Sequence, residues 1–135
     1  MIHIPLALMA DYANISREGK LNILGVFDNI YAPSVPALHP QMQLVMTIVA
    51  DRLEANKEHK IKIELIDADN INTTFQIEGV IKFEPPKSGE DIKINQIIQL
   101  NHIVFNEYGE HSIKILLDDE VKSSISLKII KPPQS

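Results

Sequence analysis

The sequence predicts an all-β fold: a two-sheet antiparallel sandwich of the immunoglobulin-like kind, with about eight strands. Three observations predict it. Apolar residues recur with period two from Leu6 to Ile130, and side chains on a strand alternate between its two faces. No stretch of helical length keeps a 3.6-residue period. Polar turns and two proline-bearing connections cut the pattern at the short spacing of a sandwich or barrel. The 135 residues are expected to form one domain, 1–135, a size that buries enough surface for one core without staples.

The elements follow in order. A first strand over 5–11 leads to the polar stretch Arg17-Glu18-Gly19-Lys20 and a second strand over 20–31. The connection from Ala32 to Pro40 carries prolines, which lack an amide donor and stop a ladder, so it is expected to cross between sheets or turn a corner. In 41–50, Met42, Leu44, Met46 and Ile48 alternate with Gln43, Val45 and Thr47. Leu53, Glu54 and Ala55 are helix formers and allow a short helical turn near 52–57. Strands over 59–67 and 72–83 flank Ala68-Asp69-Asn70, and a second proline-bearing connection spans 84–91. Strands over 92–105, 111–118 and 121–130 complete the set, with hairpin-like stretches at Glu107 to Glu110 and Asp118 to Glu120. The tail Lys131-Pro-Pro-Gln-Ser reads as an exposed terminus. Phe27, Met46, Ile63, Phe75, Ile77, Ile115 and Leu127 lie on the apolar parity of their strands and are the expected core.

Composition narrows the function. The net charge of −5 disfavours a nucleic-acid binder, because such domains present a basic face to replace counterions. The lysines are scattered along strands, as a solvated sheet face would have them. Cysteine is absent, which removes a disulfide framework, a thiol nucleophile and a thiolate metal site. The first ten residues lack the basic region of a signal peptide, and no apolar run reaches the roughly 20 residues of a membrane helix. A cytoplasmic protein with no membrane partner is expected.

Chemical motifs are sparse. His3, His39, His59, His102 and His111 form no pair with metal-ligand spacing, so no metal is expected and the histidines read as solvated. Asp67, Asp69 and Asn70 resemble the opening of a calcium loop, but the hairpin is too short for an EF-hand. Asp118, Asp119 and Glu120 could join them if both turns share one end of the sandwich. There is no nucleophile elbow, phosphate loop or dinucleotide fingerprint, so neither a cofactor nor an enzymatic activity is expected. The most distinctive stretch runs from Ala10 to Asp28. It is a first hairpin in which Asp11, Tyr12, Lys20 and Asp28 are the candidate binding residues along one edge.

The run ADYAN…GKLNILGVFDNIYAPSVPALHPQMQLV resembles the N-terminal half of a family of small prokaryotic proteins of unknown function. GEHSIKILLDDE resembles the closing hairpin of that family, with His111 in the aromatic position and Asp119-Glu120 in place of Asp-Gly. The resemblance implies a compact β-sandwich and no activity.

The function expected is a non-enzymatic interaction or accessory module. The alternative is a β-sandwich that binds a small molecule, a carbohydrate or calcium. Two strands are apolar on both faces: 20–31, through Leu24 and Val26, and 41–50, through Val45 and Val49. One sandwich buries one face of each strand. A homodimer or a protein partner is therefore expected to cover one of them, with Val26→Lys or Val45→Lys weakening association while sparing the fold.

Overall fold

The structure is a computed structural model and describes residues 1–86 and 89–133. Its strands are β1 Ile2–Ile15, β2 Leu21–Phe27, β3 Asn29–Tyr31, β4 Ala37–Ala50, β5 Glu58–Ile66, β6 Thr73–Lys82, β7 Ile92–Phe105, β8 Gly109–Leu117 and β9 Glu120–Ile130. A short 3-10 turn, Arg52–Glu54, is the helical element among the described residues. Parts of the second proline-bearing connection (87 and 88) and of the tail (134 and 135) lie outside the described residues.

Two sheets stack face to face. One has the order β2-β1-β4-β7 and the other β3-β9-β8-β5-β6. With β1, β4 and β7 standing as strands A, B and E, and β5, β8 and β9 as C, F and G, this is the immunoglobulin arrangement, extended by β2 at one edge and β6 at another. All pairs are antiparallel except β3 with β9. The strand expected over 20–31 divides at Asp28: β2 stays with β1 while β3 moves to the other sheet. Both proline-bearing connections cross between sheets, as does the segment through Arg52–Glu54. Glu107 to Gly109 is also a crossing and not a hairpin turn, because β7 and β8 belong to different sheets.

The core lies between the layers. Met46, Ile63, Ile115 and Leu127 are buried there. Phe27, Phe75 and Ile77 are half-buried, since β2 and β6 are edge strands with a neighbour on one side. His59 and His111 are also buried, against the solvated reading. His111 stacks edge-on to Phe105 at 5.3 Å between centroids, and Phe83 lies 5.0 Å from His59.

The second apolar face of β4 is covered from within the chain. Pairing of β1 with β4 ends at Ala10–Gln43, and β1 runs on to Ile15 paired with β2 alone. Gly25, opposite Asp11, adopts φ 71°, a conformation that costs glycine nothing. A Cβ there would run into the Asp11 carboxylate. Past this point the hairpin lies over the outer face of its own sheet. Ala10, Ala13 and Val45 form a second buried cluster under Leu8, Leu21, Ile23 and Ile97. The Ala13 N–H donates to Gln43 Oε1 at 2.6 Å, and Asn95 Nδ2 on β7 donates to the Gly19 carbonyl at the hairpin tip. Val45 is therefore enclosed, while Leu24 and Val26 stay exposed.

Candidate functional site

The first hairpin carries all four candidate residues. Tyr12 lies directly across the β1–β2 ladder from Leu24. Tyr12 is 47 % exposed, Leu24 66 % and Val26 60 %, so an apolar surface faces solvent beside the free edge of β2. Lys20 and Asp28 bracket β2, one residue beyond each end. The Lys20 carbonyl and N–H bond to Ser16, and the Asp28 carbonyl accepts the Lys128 N–H at 2.9 Å. Both side chains are exposed and make no ion pair within 4 Å among the described residues. Eight residues of extended chain put them roughly 27 Å apart. They mark the two ends of one edge and do not meet in a pocket.

Asp11 belongs to a different feature. It lines a cleft of about 360 Å³ with Phe27, Asn29, Ile30, Tyr31 and His39. A neighbouring cleft of about 310 Å³ shares Ile30, Tyr31 and His39 and runs on to Leu38 and Phe105. Burial holds His39 below the ordinary histidine range, although the Asp11 charge acts the other way. Its ring lies 5.8 Å from that of Phe27. Tyr108 does not enter the groove. Its hydroxyl donates to the Ala32 carbonyl at 2.8 Å and ties the β7–β8 crossing to the segment after β3.

Two side-chain clusters lie at opposite ends of the sandwich. At one end, Asp67, Asp69 and Glu107 bring carboxylate oxygens within 4.8 Å of one another. Asp67 Oδ1 accepts the N–H groups of Ile71 and Asn72. Burial opposes ionisation of Asp67, but these donors outweigh it and its carboxyl lies below the ordinary range. Glu107 is raised, first by a hydrogen bond shared with Asp69 and then by burial and by the charge of Asp69. Glu107 Oε1 is buried with no partner. The third carboxylate comes from the β7–β8 crossing. Asp118 and Asp119 turn between β8 and β9 at the other end, so the two turns do not share an end of the sandwich and these carboxylates do not join the cluster. Sequence reasoning missed Glu107 because nothing local links it to Asp67.

At the far end His59 is gripped by two carboxylates. Its Nδ1 lies 2.6 Å from Asp118 Oδ2 and its Nε2 3.3 Å from Glu54 Oε2. The hydrogen bond with His59 holds the Asp118 carboxyl below the ordinary range, burial opposes this, and the Lys60 N–H supports it. The arrangement pins β5 to the β8–β9 turn.

A family model matches residues 5–130, from early in β1 to the last residue of β9; its description is a family of unknown function, DUF6941. The chain belongs to that family. The DUF6941 match spans both sheets, the hairpin arm and all four candidate residues. No curated protein matches the chain. Among solved structures it is similar to an alkylpurine DNA glycosylase, AlkC, of Pseudomonas fluorescens bound to DNA containing an abasic site analog. That similarity has 10 % identity, a TM-score of 0.51 and covers 96 % of this chain. The chain spans 30 % of the length of that structure. At such identity the likeness shows the fold alone. No helix among the described residues is long and apolar enough to cross a membrane.

Proposed function

We propose that this DUF6941 chain is a non-enzymatic, cytoplasmic interaction module that binds a protein through the first hairpin. One observation carries the reading: Tyr12 and Leu24 face each other across the β1–β2 ladder and are both exposed, with Val26 exposed further along β2, beside a strand edge that no other described strand covers. Large apolar side chains gathered beside an open ladder favour strand pairing and apolar contact with another chain. The DNA in the glycosylase structure lends no support to a nucleic-acid role here, since a chain of net charge −5 has few phosphate-binding groups to spare. The reading is tested with Leu24→Lys and Val26→Lys. Both variants should keep the parent's thermal unfolding and lose association in sedimentation of the pure chain or on gel filtration with native cell extract. Parent-like association in both measurements would reject it.

A second reading, calcium binding, is favoured by the Asp67–Asp69–Glu107 group and by the unpartnered Glu107 oxygen. Oxygen-only donors suit a hard cation, which would offset the mutual repulsion of Asp67, Asp69 and Glu107. Calorimetric titration with calcium chloride should then show stoichiometric binding that Glu107→Gln removes. The same weak heat from parent and variant would exclude it.

A further inference from the structure

Four strands have a free edge: β2 and β7 in one sheet, β3 and β6 in the other. They differ in how well they resist pairing with another chain. Natural edges are guarded by charge, proline, bulges or shortness; in β2 the sole irregularity is Gly25, at φ 71°. β3 has three residues. β6 carries Glu78 and Lys82, and β7 carries Lys93. β2, Leu-Asn-Ile-Leu-Gly-Val-Phe, carries no charge and no proline along its seven residues. Beyond Lys93, β7 is also free of Asp, Glu, Lys, Arg and Pro, so what singles out β2 is the charge at its two ends.

Its flanks are charged, and with opposite signs. Lys20 precedes β2 and Asp28 follows it, each exposed and without an ion pair among the described residues. An antiparallel strand pair related by a two-fold axis at Leu24 joins residues equally spaced on either side of that axis. Leu24 then faces Leu24 of a second copy, Ile23 faces Gly25, Asn22 faces Val26 and Leu21 faces Phe27. Lys20 of each copy faces Asp28 of the other. One register thus pairs a neutral core with two ion pairs and leaves no like charges opposed. A closed two-fold contact needs this kind of self-complementarity, and charge complementarity fixes register.

Resting on the reading that the first hairpin is the contact surface, we propose that its partner is a second copy of this chain. The β2 strands pair antiparallel about Leu24 and join two four-stranded sheets into one of eight. Tyr12 lies across the ladder from Leu24. The pairing therefore sets a stripe of Tyr12 and Leu24 from both copies side by side, covering the apolar surface that one copy leaves in water.

The test is a charge swap on the full chain, read by sedimentation equilibrium. The parent should be a dimer. Lys20→Asp and Asp28→Lys each oppose like charges at both ends and should weaken the dimer by about tenfold. An equimolar mixture of these two variants should recover parent affinity as a heterodimer, and the double variant should recover it as a homodimer. Those recoveries also exclude misfolding as the cause of the losses. A parent that stays monomeric at about 1 mM overturns self-pairing. If Leu24→Lys still abolishes capture of another cell protein in that case, the interaction reading survives alone. A dimer indifferent to both swaps but broken by Leu24→Lys overturns the register. A dimer indifferent to all three substitutions overturns both proposals.

Discussion

Val45 has no exposed surface, although its strand already buries Met42, Leu44, Met46 and Ile48 on the opposite face. A lysine at that position has to carry an ammonium into a site closed by Leu8, Ala10, Ala13, Ile23 and Ile97. Val45→Lys is therefore expected to cost more than about 3 kcal/mol of stability, where the sequence pattern had it weaken association and spare the fold. Urea denaturation checks this, and a midpoint within error of the parent would refute it. The two-sided apolar pattern of 41–50 was legible. What covers the second face was not, because periodicity reports that a face is buried and is silent on what buries it. Asp118 offers a second check at this scale. Its hydrogen bond with His59 lowers the folded-state value of its carboxyl below that of the unfolded chain. The stabilisation is complete above the ordinary aspartate range and is lost as pH falls through the lowered folded value. Glu107 has the opposite sign: its folded value is raised, so it destabilises the fold once pH climbs above the ordinary glutamate range. Asp118→Asn should flatten the acid limb of a thermal-stability profile and leave the Glu107 limb in place.

Strands and turns were the most legible level, because each carries its own local signal. Alternation gave the six segments from Met42 onward to within a few residues of their observed ends. The division of 20–31 into β2 and β3 was hidden, since Asn29, Ile30 and Tyr31 continue the apolar pattern while changing sheets at Asp28. Glu107 to Glu110 looked like a hairpin turn because composition marks a reversal and cannot tell a reversal within a sheet from a passage between sheets. The β8–β9 turn is the one whose chemistry can be tested. Leu117 pairs with Glu120, so the loop is Asp118-Asp119, with φ 52° and 68°. Two positive φ values define the type I′ turn that suits a right-twisted hairpin, and glycine is favoured at its second position. Asp119→Gly should therefore stabilise the protein by about 0.5–1 kcal/mol. The ion pair it removes, Lys60 to Asp119 at 3.3 Å, is exposed and worth a few tenths of that at most. A lower melting temperature for Asp119→Gly would mean that Asp119 contributes something beyond turn geometry.

At the scale of the whole molecule, charge and layering together decide what the surface can meet. The chain has 13 basic and 18 acidic residues, and the five-stranded sheet carries many of its lysines on its outer face. There Lys62 lies within reach of Glu64 and Glu78, and Lys60 within reach of Glu78 and Asp119. A lysine held by a carboxylate must give up that partner before it can neutralise a phosphate, so the face offers little of the counterion release that drives nucleic-acid binding. The outer face of the other sheet is closed in part by the hairpin arm and elsewhere shows amides such as Gln99 and Asn101, joined side chain to side chain. Neither face presents a basic stripe. The expected outcome is no retardation of duplex or single-stranded oligonucleotides at physiological salt. Binding at low micromolar concentration, weakening with added salt along a slope of several phosphate contacts, would show a basic surface that net charge and ion pairing both conceal. It would also turn attention to Lys114 and Lys128, which have no carboxylate within 4 Å among the described residues.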